Sequence, residues 1–273
     1  MKKQKYVDLI VIIVLIFGAV IMIMPFWVMV ALSFETPQQT SSIPPILFPI
    51  EITFNNYINL FSQLNFAVYF RNSLFLTVIV VFGQVISSLM AGYAFARLNF
   101  PFKNLIFIFF LSMLMVPSVV IIIPEFILLK YLHLINTIIG VGLMQIFSAF
   151  GTFLFRQNFL SIPTDFEEAA IIDGASLWRI FWQIMVPLTL PSIAAFSFLS
   201  FVYGWTMFLW PLVALSSTST RTLPIGLSLL QGQFFSNWGV MMAGSVIVSI
   251  PAIIVFLFLQ KQFVNNMLNS GIK

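Results

Sequence analysis

The 273-residue sequence has no cysteine and a single histidine. Without thiols there is no disulfide scaffold, zinc ribbon or thiol nucleophile, and one histidine cannot build a multi-histidine metal site. The sequence also lacks a G-x-x-x-x-G-K-[ST] phosphate loop, an H-E-x-x-H pair and a G-x-S-x-G elbow. Those absences remove the usual signatures of nucleotide, metalloprotease and serine-hydrolase chemistry. Charge is scarce as well: only 7% of residues are Asp, Glu, Lys or Arg, against about 25% in a soluble domain. What fills the chain instead is 60% hydrophobic and 16% aromatic residues. Such a chain cannot cover itself with polar surface. Its hydropathy excludes disorder, and the missing heptads exclude a coiled coil. An integral membrane protein remains.

The net charge of +4 does not point to nucleic acid, because no basic run exceeds Lys2-Lys3-x-Lys5 and the other bases stand singly between apolar segments. The spacing of the apolar runs predicts one transmembrane domain over 1–273, all-α, with six spans at about 7–33, 72–96, 105–124, 137–155, 181–215 and 238–260. Each supplies the roughly 20 residues needed to cross hydrocarbon. The first run is far longer than the about 7–15 residues of a signal-peptide core, so it reads as a retained helix. Pro117 in the third run, and Gly204 with Pro211 in the fifth, predict irregular spans, either packing kinks or breaks lining a cavity. Six spans put both termini on one face. That face holds Lys2, Lys3, Lys5, Arg97, Lys103, Arg156, Arg179, Lys261 and Lys273, against Arg71, Lys130 and Arg221 on the other. Positive charge marks the cytoplasm, so both ends are expected inside a multi-pass protein of the cell membrane.

Polar residues within the spans are the candidate lining of a pathway: Gln84, Ser87 and Ser88, Ser112, Gln145 and Ser148, Ser197, Ser200 and Tyr203, with Trp205 and Trp210 able to stack on sugar rings. The alternative for each polar group is a helix-to-helix hydrogen bond of about 0.6 kcal/mol, and for each tryptophan an interfacial seat. No acid or base lies deep in a span, Asp8, Glu125 and Lys261 being placed at span ends. That pattern argues against an ion-coupled secondary transporter, which normally keeps an ionisable group near mid-membrane.

Four of the eight acids, Asp165, Glu167, Glu168 and Asp173, fall within the inner loop at about 156–180. Thr164 and Glu167 have capping-box spacing, which predicts a short helix with its acids at the positive end of the dipole. Gly174 is placed to end that helix in a left-handed conformation, and Ser176 to cap the next. Ala169 and Ala170 follow the acids, and small residues permit close approach of a partner. The element is expected either to dock a cytoplasmic partner or to fold back on its own bundle.

Glu168-Ala169-Ala170, then Gly174, then Ile184-x-x-Pro187 resembles the EAA loop of bacterial ABC importer permeases, with Val186 where the family usually has leucine. Asn72-Ser73-Leu74, Ala91-Gly92-Tyr93-Ala94-Phe95-Ala96-Arg97, Asp173-Gly174-Ala175-Ser176 and Thr222-Leu223-Pro224-Ile225-Gly226-Leu227 resemble the carbohydrate-uptake branch, nearest to the maltose-type second permease, as does Gln262-Phe263. Phe153-Leu154-Phe155-Arg156-Gln157 and Tyr203-Gly204-Trp205 also resemble the glycerol-3-phosphate subgroup, with Thr206 where that subgroup has asparagine. The resemblance implies a type I importer permease fold and a sugar or oligosaccharide as solute, with glycerol-3-phosphate or a related polyol phosphate as the alternative. It implies a homologous second permease subunit, two cytoplasmic ABC ATPase subunits and an extracytoplasmic solute-binding protein as partners, with the loop 216–237 facing the last. Residues Glu167, Glu168, Ala169, Ala170, Asp173, Gly174 and Ala175 would form the ATPase-coupling loop. The chain itself is expected to bind no cofactor and to be no enzyme; ATP and Mg would sit on the partner ATPase, in keeping with the missing phosphate loop.

Overall fold

The computed structural model describes residues 2–42, 48–230 and 237–270, with side chains over 8–42, 48–230 and 237–260. Among these residues every regular element is helical. Hydrocarbon dictates this, since each backbone N–H and C=O there needs a partner within its own segment. The order is α1 (Lys2–Ser33), a single turn at Pro37–Thr40, α2 (Asn55–Gln63), α3 (Phe66–Arg97), α4 (Lys103–Ser112) and α5 (Ser118–Tyr131). There follow α6 (Ile138–Leu143), α7 (Ala149–Ser161), the short α8 (Asp165–Ile172), α9 (Leu177–Leu188), α10 (Leu190–Thr206), α11 (Leu209–Ala214), α12 (Leu223–Ser228) and α13 (Trp238–Ser270). Three stretches can cross a membrane unaided: Asp8–Ser33, Phe66–Arg97 and Trp238–Gln260. The pairs α4–α5 and α9–α10 meet the same length and composition as bent pairs, turned by 105° and 78°.

The expected boundaries shift where backbone chemistry overrides hydropathy. The 105–124 run bends at Pro117, as its ring predicts, but α5 then passes through Pro124 and ends only at Tyr131. The 137–155 run is two helices separated by a non-helical stretch at Met144–Ser148. The 181–215 run does break between Gly204 and Pro211, at Met207–Phe208, although Gly204 itself sits inside α10, where an added Cβ would lie 3.2 Å from the Thr77 backbone. It also breaks earlier, at Thr189, between two prolines. Pro187 and Pro191 remove two backbone donors, the preceding turn widens to a π-turn over Phe181–Met185, and the Thr189 hydroxyl donates to the carbonyls of Met185 and Val186 at 3.2 and 2.8 Å. The expected bases Lys2, Lys3, Lys5, Lys261 and Lys273, the Gln262-Phe263 pair, Pro44 and Pro45, and residues 231–236 of the 216–237 loop lie outside the described side chains.

The chain divides into two compact units, Met1–Phe66 with Gly226–Pro251, and Ala67–Ile225 with Ala252–Lys273. In the first, the apolar face of α1 is exposed along Leu9–Trp27, while its C-terminal end is tied down. Asn56 donates to the carbonyls of Ser33 and Glu35 at 3.0 and 2.8 Å, and the hydroxyls of Ser33 and Tyr57 meet at 2.8 Å. The Phe34 ring packs on Phe54 and Tyr57, with centroids 5.4 and 5.2 Å away. Within this knot the Glu35 side chain is fully buried and neither carboxylate oxygen has a hydrogen-bond partner among the described residues.

In the second unit, α3 is the spine of two separate cores. Leu76 and Val80 join Leu129, Val141, Trp210 and Leu215 in one. Leu89 and Tyr93 join Phe155, Phe159, Phe181 and Phe196 in the other. Between them α3 presents Gln84, Ser87 and Ser88.

Burial pushes the Glu35 carboxyl above its ordinary range. The native chain then holds a proton that the unfolded chain releases, so stability declines as pH rises from the unfolded towards the folded value. Glu35→Gln is expected to raise the melting temperature at about pH 8 and to change it little at about pH 3, where both states are protonated. Equal shifts at both pH values in thermal scans would refute the assignment.

Candidate functional site

Two places in the second unit gather the residues that carry chemistry. The first grows from the interruption at Met144–Ser148. An unpaired carbonyl in an apolar interior costs roughly 1–3 kcal/mol, and α3 covers those of Gln145 and Ile146, while the Ser148 carbonyl already accepts from Thr152 N at 3.0 Å and Thr152 Oγ1 at 2.9 Å. Gln84 Nε2 donates to Gln145 O at 3.0 Å, Ser87 Oγ to Ile146 O at 2.7 Å, and Ser88 Oγ to Ser148 O at 3.4 Å. The Ser148 hydroxyl then caps α7 by accepting from Gly151 N at 3.1 Å.

Beside this broken segment lies a cavity of about 580 Å³, within the range of small-molecule sites. Its polar wall is Gln84, Ser118, Gln145, Ser148, Ser200 and Tyr203, and its apolar wall includes Phe110, Phe147, Phe150 and Phe196. The Tyr203 hydroxyl donates to Gln145 Oε1 at 2.7 Å. Gln145 Nε2 reaches both carboxylate oxygens of Glu125, at 3.4 and 3.5 Å. Ser200 is 2% exposed, and its hydroxyl has no hydrogen-bond partner among the described residues.

Of the eleven residues expected to line a pathway, five therefore meet around one cavity: Gln84, Gln145, Ser148, Ser200 and Tyr203. Ser88 is fully buried behind the wall, bonded to Ser148 O. Trp205 is 2% exposed, stacked on Phe201 with centroids 5.8 Å apart and edge-on to Phe70 at 5.5 Å. Trp210 is also buried, its indole donating to Val141 O at 3.2 Å. Glu125 was missed by sequence reasoning because its run was ended at Pro124; the helix continues, and the one acid inside it joins the cavity's network. A carboxylate following three isoleucines and a proline was the signal available.

The second place is the knuckle built from α8. Its C-terminal end closes as expected: Ala175 N donates to Ala170 O and Gly174 N to Ile171 O, both at 2.9 Å, with Gly174 at φ +77°. This is the Schellman arrangement, and Ser176 caps α9 by accepting from Arg179 N. The N-terminal end departs from expectation. Thr164 has helical dihedrals and makes no side-chain cap, so the capping box with Glu167 does not form. Stronger partners hold Glu167 instead. Its carboxylate lies 2.7 Å from Arg97 Nε and accepts from the Tyr93 hydroxyl at 2.9 Å. Arg97 also donates to Ile162 O, and Arg156 Nε donates to Phe95 O at 3.1 Å. Ala170 is buried and Ala175 half-buried. The opposite side is bare: Glu168, Ala169, Asp173 and Gly174 are exposed, as are Phe166, Ile171 and Ile172, the last at 86%. A groove of about 600 Å³ runs beside it along Asp165, Phe166, Ala169, Asp173 and Ile184.

Comparison with known proteins places this architecture. A family model described as "Binding-protein-dependent transport system inner membrane component" matches residues 83–269. The chain is 35% identical over 260 residues to the arabinooligosaccharides transport system permease protein AraQ of Halalkalibacterium halodurans, covering 94% of this chain and 93% of that one. It is 29% identical over 277 residues to the sn-glycerol-3-phosphate transport system permease protein UgpE of Yersinia pestis, covering 98% and 99%. In structure it resembles a chain of a bacterial ABC transporter involved in the import of the acidic polysaccharide alginate, with a TM-score of 0.83 over 96% of this chain and 98% of that one. At 23% identity this last likeness establishes the fold.

The Arg97–Glu167 pair is only 12% exposed on either side. Arg97→Ala strands its carboxylate and is expected to cost about 1–3 kcal/mol, and adding Glu167→Gln should recover part of that loss. A double-mutant cycle with coupling below about 0.5 kcal/mol would show the pair to be idle.

Proposed function

Because the chain belongs to the family of binding-protein-dependent transport system inner membrane components, we propose that it is a permease subunit of an ABC importer that carries a sugar or oligosaccharide inward across the cell membrane. It works with a homologous second permease, two cytoplasmic ATPase subunits and an extracytoplasmic solute-binding protein. It crosses the membrane six times with both termini inside, the interrupted α6–α7 stretch being the fourth span. The three long helices and the two bent pairs supply the other five.

The observation that carries the reading is the two-sided knuckle. Glu167 and Ala170 face its own bundle, while Glu168 and its apolar neighbours are left open. An element anchored on one side and bare on the other transmits force. An ATPase surface gripping Glu168, Ala169, Asp173 and Gly174 moves α8, and the Arg97–Glu167 pair passes that motion to the end of α3.

The solute reading rests on the cavity and on the likeness to AraQ. Its wall of hydroxyls and amides between phenyl rings suits a polyhydroxylated solute. The likeness to UgpE supports glycerol-3-phosphate as the alternative, but none of the described residues lining the cavity is Lys or Arg. ATP and Mg bind on the partner ATPase.

In the reconstituted complex, Glu168→Lys is expected to leave the protein inserted and to abolish solute-stimulated ATP hydrolysis; full turnover by that variant would remove the docking role. The native lack of cysteine permits a topology test. A cysteine at Glu51 should react with an impermeant thiol reagent from outside and one at Asp165 should not, and the reverse pattern would invert the orientation.

A further inference from the structure

Glu125 is a costly residue to keep in a bent membrane-spanning pair, since acids in such places are retained for work. Its position dictates the chemistry of three neighbours. A carboxylate only accepts hydrogen bonds, so the amide NH2 of Gln145, 3.4 and 3.5 Å from its oxygens, must point toward it. The Gln145 carbonyl oxygen is thereby turned the other way, where it takes the single phenolic proton of Tyr203 at 2.7 Å. With that proton spent, the Tyr203 oxygen offers only lone pairs to the cavity. Gln84 spends one of its two amide protons on Gln145 O at 3.0 Å. The Ser200 hydroxyl, with no partner among the described residues, also lines the wall and can donate as well as accept.

We propose that Glu125 is a specificity-determining residue: it sets the Gln145–Tyr203 side of the cavity to accept hydrogen bonds, selecting neutral saccharides over acidic ones. The inference rests on the cavity being the solute pathway. A neutral sugar brings hydroxyl protons to this wall. A uronate or phosphate brings further acceptors and a charge of the same sign as the carboxylate behind Gln145, and no described base in the lining offsets it. Glu125 acts through its neighbours, as a positioning residue.

The test uses the assembled transporter in lipid nanodiscs without the binding protein, so that the receptor's own selectivity does not intervene. Binding of radiolabelled arabinotriose, which is neutral, and trigalacturonate, which is acidic, is measured by equilibrium dialysis. The wild-type complex is expected to favour arabinotriose by about tenfold or more, the order of one charged hydrogen-bonding partner. Glu125→Gln, whose amide donates as readily as it accepts, should reduce that preference to about threefold or less, chiefly by admitting trigalacturonate. Gln145→Leu, which cuts the relay while leaving the carboxylate, is a second variant expected to weaken arabinotriose binding and narrow the ratio. An unchanged ratio in either variant overturns the proposal. A wild-type complex that binds neither trisaccharide overturns the pathway reading beneath it, so the two failures are distinguishable.

Discussion

The constraint on which the second unit depends is an interrupted backbone inside an apolar interior. Between α6 and α7 the chain leaves helical geometry at Met144–Ser148, and the freed carbonyls have no water to turn to. Gln84 and Ser87 supply the missing donors for Gln145 and Ile146 from one face of α3, while the Ser148 carbonyl is taken by Thr152. That satisfaction is what lets a non-helical segment persist at depth. It also leaves a space beside the break that neither hydrophobic core fills, and the cavity is that space.

Helix α3 links this belt to the knuckle. Gln84 and Arg97 are thirteen residues apart on one uninterrupted helix, so about 20 Å of rigid rod joins the carbonyl belt to the Arg97–Glu167 pair. At its far end the rod is well closed: Lys103 donates to the carbonyls of Ala96 and Leu98 at 3.2 and 2.8 Å. Three of the bases counted toward the inner face, Arg97, Lys103 and Arg156, thus also satisfy backbone carbonyls where helix or loop ends. The charge bias that reads as orientation has a local structural use at the same positions.

Local signals were legible in the sequence and tertiary ones were not. Gly174 and Ser176 behave as read, because a left-handed terminus and a serine cap are decided within a few residues. The capping box failed because Arg97 and Tyr93, some seventy residues earlier, outbid a backbone N–H for Glu167. The polar residues of the spans stand out in the sequence, yet their division between wall and filler depends on neighbours. Ser88 and Trp205 are buried, whereas Gln145 and Tyr203 face open space. Hydropathy located the apolar runs but is blind to backbone breaks, so it joined α6 to α7 and cut α5 short of Glu125; Gly204 and Pro211 did mark the break at Met207–Phe208, but the corner at Thr189 went unread.

The widened turn at Phe181–Met185 has a mechanical meaning for the whole chain. One extra residue per turn rotates everything beyond it by about 100° relative to a regular helix, and the 78° corner at Thr189 follows immediately. The segment leaving the knuckle and the segment bearing Ser200 and Tyr203 therefore share neither axis nor face. The joint between them is packed, with Phe181 2% exposed and Met185 and Thr189 fully buried. Knuckle and cavity are thus connected twice, once around this corner and once through the earlier helix, which is joined to the knuckle by one ion pair and a tyrosine hydroxyl.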